Sequence, residues 1–164
     1  VPAPLPPAES AASAARRRLG LGEVTAELIK RYFAGRAEVT SFAVADAVLA
    51  GNASLAMERL RWALGTGVPA VLVTSAMAGA FRGLAKYLDA QGSRMSDYDL
   101  ARQIGVPPFK IKEFSSASRN WQSGGVAKAI TLIAVGDAEV KGAATDADYA
   151  LERMVLGVLR FRHR

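Results

Sequence analysis

Residues 69–89 read PAVLVTSAMAGAFRGLAKYLD, and this stretch decides the fold class. Its apolar residues recur every three or four positions, which is the period of one face of an α-helix. The run at 71–74 alone could pass for a buried strand, but it merges into the longer helical pattern. Pro69 suits the first turn of a helix. The stretch therefore predicts a long core helix whose buried face carries Val73, Met77, Ala80, Phe81, Leu84 and Leu88.

Similar patterns on both sides of this stretch predict further helices. They span residues 9–18, 25–34, 41–50, 52–65, 97–104, 107–120, 123–140 and 146–161. Polar residues that can cap a helix stand at several of their starts, and glycines stand at several of their ends. The predicted caps are Thr25, Ser41, Asn52 and Ser96, and the predicted stops are Gly35, Gly51, Gly65 and Gly105. Strand-like alternation is scarce, so the chain is predicted to be all-α, a bundle of helices.

The composition argues against most catalytic chemistry. The 164 residues carry 21 Lys and Arg against 15 Asp and Glu, a net charge of +6, and 51% of them are hydrophobic. There is no cysteine, and the single histidine, His163, lies in a basic terminal run. Thiol catalysis, thiolate metal sites and multi-histidine sites are thereby excluded, and no apolar run is long enough to cross a bilayer. The sequence predicts a chain that is not an enzyme by itself and that uses no metal or cofactor.

Two patterns that could carry chemistry fit structural roles better. The glycine pairs at 20/22 and 65/67 lack the Lys and Ser/Thr of a phosphate-binding loop and are predicted to be turns. The acidic pairs at 97/99 and 137/139 are two residues apart, so their side chains do not face each other on a helix. Asp137 lies four residues before Lys141, a spacing that predicts an ion pair.

Four large aromatic residues are predicted to belong to the core, because the helical stripes use nearly every apolar residue of the chain. They are Trp62, Phe81, Phe114 and Trp121. An alternative for Trp62 and Trp121 is that they anchor a partner surface, since large aromatics are enriched at the centres of interfaces.

Residues 96–114 resemble a helix-turn-helix. A small Ala101, a turn at Gly105 and a second helix beyond it match that motif. In a DNA-reading version, Lys110 and Lys112 would enter the major groove. The Pro-Pro-Phe that opens the second helix is poor material for base contacts, so a plain corner between two helices is the preferred interpretation. A DNA-binding regulator that uses residues 96–114 is the alternative.

Basic residues near this corner and towards the C-terminus are the candidate contacts with DNA or with a partner. Such cations can neutralise phosphates independently of sequence, although a solvated helix face has the same composition. The candidates are Lys110, Lys112, Arg119, Lys141, Arg160 and Arg162, and residues 16–18 form a further run of arginines.

Several short motifs then occur in a fixed order. They are FAVADA at 42–47, GNA at 51–53, GVP at 67–69, LARQIGVPPFKIK at 100–112, DAEVKG at 137–142 and ALERMVL at 150–156. Each motif is loose by itself. Their order and spacing over residues 41–159 resemble the C-terminal part of the delta subunit of bacterial DNA polymerase III, a clamp-loader component.

The resemblance implies an α-helical collar, an oligomerisation domain, at residues 41–160. It also implies that residues 9–38 are the end of a helical lid domain. Residues 1–8, which hold four prolines, would be an extended linker or a trimmed end. The collars of such subunits pack side by side in a ring, and an N-terminal ATPase-like domain, absent from this sequence, contacts the sliding clamp.

The function that the resemblance implies is that of a non-catalytic, cytoplasmic scaffold. It would assemble with other clamp-loader subunits to load the sliding clamp on primed DNA. The holoenzyme as a whole is a DNA-directed DNA polymerase, a nucleotidyltransferase. The partners expected are the other loader subunits, together with a non-specific contact to DNA, and no membrane.

Overall fold

The computed structural model describes residues 25–163, which hold seven α-helices and no strand. The helices are α1 (Ala26–Leu49), α2 (Ala53–Gly65), α3 (Ala70–Asp89), α4 (Asp97–Ile104), α5 (Phe109–Ala117), α6 (Ser123–Ala138) and α7 (Ala147–Leu159). A π-helical turn, Glu139–Ala143, follows α6. The all-α prediction is confirmed. The expected extended segment at 1–8, the helix at 9–18 and the arginine run at 16–18 lie outside the described residues.

The chain divides into two compact units, Val1–Ala34 and Gly35–Arg164. The described part of the first unit, residues 25–34, is helical from Ala26 and exposed to solvent. No helix between residues 25 and 163 combines the length and the apolarity that crossing a membrane requires.

The predicted helix break at Gly35 is wrong, because α1 runs without interruption from Ala26 to Leu49. Gly35 does not adopt the left-handed conformation of a helix stop, unlike Gly51, whose φ is 72°. Ser41 is not a cap either. It is buried within the helix, and its hydroxyl donates to the carbonyl of Ala37 at 2.9 Å. A glycine in a helix interior costs only about 1 kcal/mol, so neighbouring turns can carry the helix across it.

Several other predicted helix ends are confirmed. Asn52 caps α2, its side-chain oxygen accepting from the Leu55 N–H at 3.0 Å, and Ser96 caps α4 in the same way. Gly105 ends α4 with a φ of 84°. The helices predicted to reach residues 120 and 140 end earlier, at Ala117 and Ala138. Beyond α6 the π-helical turn ends the regular helix.

The core is organised around α3. This helix lies against α6 along much of its length and also contacts α4, α5 and α7, while α2 packs on α7. Met77, Phe81 and Leu84 of the predicted stripe are fully buried, whereas Leu88 at the end of α3 is only partly buried. Residues 69–89 therefore form the central helix of the second unit.

Three of the four aromatic residues predicted to be core are buried, and the fourth is not. Trp121 packs edge-to-face on Phe81, with ring centroids 4.9 Å apart, and its indole N–H donates to the carbonyl of Leu49 at 2.9 Å. Phe114 is also buried. The side chain of Trp62 is half exposed, so its core prediction is wrong. Trp62 follows the buried Leu60 by two positions, which places it on the outer side of α2.

The contact between α3 and α5 requires a residue without a side chain at position 83. A Cβ built on Gly83 would lie 2.6 Å from Cζ of Phe114, well inside van der Waals contact. At Gly79, one turn earlier on α3, a Cβ would meet nothing within 4 Å. The packing of α5 on α3 therefore requires glycine at position 83 but not at position 79.

We expect Gly83→Ala and Gly79→Ala to change the free energy of unfolding in opposite directions. Alanine gains up to about 1 kcal/mol over glycine in a helix, and Gly79→Ala should realise most of it. At position 83 the rigid, buried Phe114 ring must move, which costs about 1–3 kcal/mol and should leave a net loss of about 1 kcal/mol. Urea unfolding followed by circular dichroism measures both. Equal stabilisation by both variants would contradict the packing of α5 on α3.

Candidate interaction surfaces

Lys110 connects the start of α5 to α1. Its ammonium lies 2.6 Å from Oδ1 of Asp46 and 2.6 Å from Oε2 of Glu113, and its side chain is only 20% exposed. Burial works against its charge, but the hydrogen bonds that its ammonium donates to Asp46 and Glu113 outweigh that effect and raise the pKa of Lys110 above its usual range. Lys110 therefore holds two elements of the fold together, and a DNA phosphate would have to compete with two carboxylates for it.

The corner between α4 and α5 buries one face of each of its two helices. Leu100, Ala101 and Ile104 of α4 are buried, as are Ile111 and Phe114 of α5. Lys112 is exposed, but it is the one lysine of α5 that no carboxylate pairs with, since Lys110 is held by Asp46 and Glu113. A recognition helix in the major groove needs several side chains aimed at the bases. This geometry agrees with the preferred reading as a corner.

The remaining candidate cations lie at separate places in the chain. Lys112 and Arg119 are exposed on α5 and just after it, and Arg160 is exposed after α7. None of these three forms an ion pair within residues 25–163. Arg162 donates from Nη1 to the carbonyl of Gly51 at 3.1 Å, and its buried Nε finds no partner in the described part of the chain. The candidates do not line up as one strip along a helix.

Lys141 forms the ion pair that its spacing predicted. Its ammonium lies 2.5 Å from Oδ2 of Asp137, and the buried hydroxyl of Thr74 on α3 donates to Oδ1 of the same carboxylate at 2.6 Å. The hydrogen bond from Lys141, which has the larger effect, and the one from Thr74 lower the pKa of Asp137 below its usual range. Asp137 thus ties α6 to α3, and the role of Thr74 could not be read from the sequence.

We expect Asp137→Asn to destabilise the chain at neutral pH and to lose that effect in acid. A carboxylate with a lowered pKa stabilises the fold above the unfolded value, about pH 4, and stops doing so as the pH falls through its folded value. Because the pair is partly exposed, the loss at pH 7 should be about 0.5–1 kcal/mol. Urea unfolding from pH 7 to pH 3 measures it. Lys141→Gln should lower the free energy of unfolding by much of the same amount. Combined with Asp137→Asn, it should cause little further loss, because both variants break the same ion pair.

Large apolar side chains lie exposed on several helices. In residues 35–163 they are Val39, Phe42, Trp62, Met95, Tyr98, Phe109, Val135, Tyr149 and Leu156. Phe42 stands one turn before Asp46 on α1, and Phe109 precedes Lys110, whose ammonium lies 5.8 Å from its ring. Sequence reasoning missed Phe42 and Phe109. The signal was present, since Phe42 falls off the stripe of Ser41, Val44 and Val48 that faces the core.

A solved structure of similar fold is the Bacillus subtilis DNA clamp loader delta protein (YqeN), with a TM-score of 0.65 and 18% identity. The match covers 76% of this chain and 37% of the Bacillus protein, so this chain spans well under half of that protein's length. At this identity the likeness concerns the fold alone. A search of curated proteins by sequence finds no match.

The family described as DNA polymerase III delta subunit, C-terminal domain, matches residues 38–158, which is well over half of the chain. The resemblance drawn from the ordered motifs is confirmed. The chain belongs to the family of the DNA polymerase III delta subunit, C-terminal domain.

Proposed function

We propose that residues 41–160 act as the collar of a clamp-loader delta subunit, with residues 9–38 forming the end of its lid. The collar packs against other clamp-loader subunits in the cytoplasm and holds them in the arrangement that loads the sliding clamp on primed DNA. It carries out no reaction itself. Family membership over residues 38–158 is the observation that carries this proposal.

The exposed aromatic residues support a role in assembly. Phe42, Trp62 and Phe109 are 53%, 50% and 62% exposed, although the second unit already has a continuous core of its own. Aromatic side chains are enriched at the buried centres of protein interfaces, where they contribute much of the binding free energy. A scaffold that works by contact with its neighbours accounts for their exposure.

The distribution of charge makes DNA a secondary partner in this proposal. Two of the six candidate cations, Lys110 and Lys141, are paired with carboxylates, and the others are dispersed. Dispersed cations neutralise few phosphates at once, so any contact with DNA should be weak and should fall steeply with salt. Association through apolar surfaces depends much less on ionic strength.

The test is to mix the purified chain with the other clamp-loader subunits of its organism. Size-exclusion chromatography at micromolar concentration should give a joint peak that persists when the salt is raised to about 0.5 M, where surface charges are screened within a few ångströms. Binding of the chain to short primed DNA should disappear over the same range. If the chain and the other subunits elute as separate peaks in every mixture, the proposal is overturned.

A further inference from the structure

The helices α6 and α7 enclose an open groove of about 450 Å³. One wall carries Leu132 and Val135 of α6. The other wall carries Tyr149 and Leu156 of α7, together with Arg160, which directly follows α7. Val135, Tyr149 and Leu156 are 50%, 63% and 43% exposed. Glu139, Glu152 and Arg153 also line the groove, whose surface is mainly apolar and has no occupant from residues 25–163.

Two glycines shape the floor of this groove. A Cβ on Gly136 would lie 2.5 Å from Sδ of Met154, and a Cβ on Gly157 would lie 2.6 Å from Cδ2 of Leu132. The two helices can approach this closely only because neither glycine has a side chain. The side chains of Met154 and Leu132 fill the space over the two glycines, so the floor is apolar, as a groove that takes the apolar face of a helix requires.

The wall formed by α7 has the spacing of a helix-binding surface. Tyr149, Arg153, Leu156 and Arg160 recur at intervals of four, three and four residues, so they form one stripe. Eleven residues at 1.5 Å each give a stripe of about 17 Å, which matches about three turns of a second helix. The shape and length therefore suit a short amphipathic helix.

The charges beside the groove leave one cation without a counter-ion. Arg153 is paired with Glu139, and Glu152 is paired with Arg61 at 3.0 Å. Arg160, at the C-terminal end of the stripe, has no carboxylate within ion-pair distance among the residues described. A partner that places a carboxylate there would complete a balanced set.

We propose that this groove binds an amphipathic helix of another clamp-loader subunit, with apolar side chains over Val135 and Leu156 and a carboxylate on Arg160. The inference rests on the proposed function and names the surface that carries it. A nucleic acid fits less well, because a phosphate backbone requires several cations and the groove offers one that is unpaired. A second copy of this chain, with a net charge of +6, fits less well than an acidic partner.

The absence of cysteine from the chain makes a direct test practical. Leu156→Cys provides a single thiol in the groove, and Lys112→Cys provides a matched thiol on the exposed side of α5. Each variant is labelled with a thiol-reactive photocrosslinker, mixed with the other loader subunits and with primed DNA, and irradiated. We expect Leu156→Cys to crosslink to one helix of another subunit, and we expect mass spectrometry to find an acidic residue in that helix.

A second arm measures affinity with the full chain. Arg160→Glu should weaken binding to the crosslinked subunit by about tenfold, and Arg102→Glu, an equal change of charge on an exposed arginine of α4, by less than about twofold. Circular dichroism checks that both variants fold.

The outcomes separate this inference from the proposed function. If the complex forms but Leu156→Cys crosslinks to nothing, to DNA or to a second copy, the groove assignment is overturned and the scaffold role stands. Equal affinities of the two arginine variants would overturn the assignment in the same way. If the unmodified chain forms no complex at all, both the proposed function and this occupant are overturned.

Discussion

Trp121→Ala is expected to lower the free energy of unfolding by about 5 kcal/mol. Removing a buried tryptophan leaves a cavity that costs about 3–5 kcal/mol. Here the indole ring is 1% exposed and packs on Phe81, so its neighbours have little freedom to fill the space. The carbonyl of Leu49 also loses its indole donor, and an unpaired buried acceptor costs about 1–3 kcal/mol. Many domains of this size have little more stability than that in total.

The second tryptophan supplies the control for this prediction. Trp62 is half exposed on α2, so Trp62→Ala should change the free energy of unfolding by about 0.5 kcal/mol or less. Each variant keeps one tryptophan, and urea unfolding can be followed by its fluorescence and by circular dichroism. Trp121→Phe keeps most of the ring but not the donor and should fall between the two, at a loss of about 1–2 kcal/mol. Equal losses for the two alanine variants would contradict the described core.

The helical stripes explain why most of the core could be predicted from the sequence. Burial on one face of a helix leaves a period of 3.6 residues, and Met77, Phe81 and Leu84 on α3 carry that period clearly. The same period places Trp62 on the outer side of α2, because it lies about 200° around the helix from Leu60. A large aromatic side chain favours burial, but Trp62 lies on the face of α2 that is turned away from the core.

Helix boundaries were predictable where a side chain or a backbone angle fixes them locally. Asn52 and Gly105 act through their own hydrogen bond or their own φ angle, and both were placed correctly. Gly35 and Ser41 were not, because a glycine only weakens a helix and a serine can bond to the preceding turn instead of capping. Whether a helix continues through such residues depends on what its neighbours bury.

The surface features depend on contacts that no sequence spacing contains. Asp46 and Lys110 are 64 residues apart, and Thr74 and Asp137 are 63 residues apart, so neither pair has a local signature. The roles of Gly136 and Gly157 likewise depend on the packing of α6 on α7, because a Cβ on either glycine would collide with the other helix. The candidate cations were identified by charge alone, and the fold then determined which of them remain open.

Lys110→Glu is expected to lower the free energy of unfolding by about 2–3 kcal/mol. The variant places a third carboxylate where Asp46 and Glu113 now share one ammonium. Breaking a fully buried pair costs about 3–5 kcal/mol and breaking an exposed one costs less than about 1 kcal/mol, and Lys110 at 20% exposure lies between these limits. Lys112→Glu on the exposed side of the same helix should stay within about 0.5 kcal/mol. Urea unfolding at pH 7 compares the two.

The same pair of variants decides between a scaffold corner and a DNA-reading helix. Because the pKa of Lys110 is raised, its contribution is complete below about pH 10 and is lost only as the pH rises through that raised value, so its loss should be constant between about pH 6 and pH 9. In a gel shift with random duplex, both variants should weaken a salt-sensitive binding slightly and to a similar extent, because each reverses one charge. A regulator would instead lose sequence discrimination in both variants, with no large loss of stability in Lys110→Glu. That outcome would require the ammonium to be free of Asp46 and Glu113, and it would contradict both the geometry and the assignment of α4 and α5 as a structural corner.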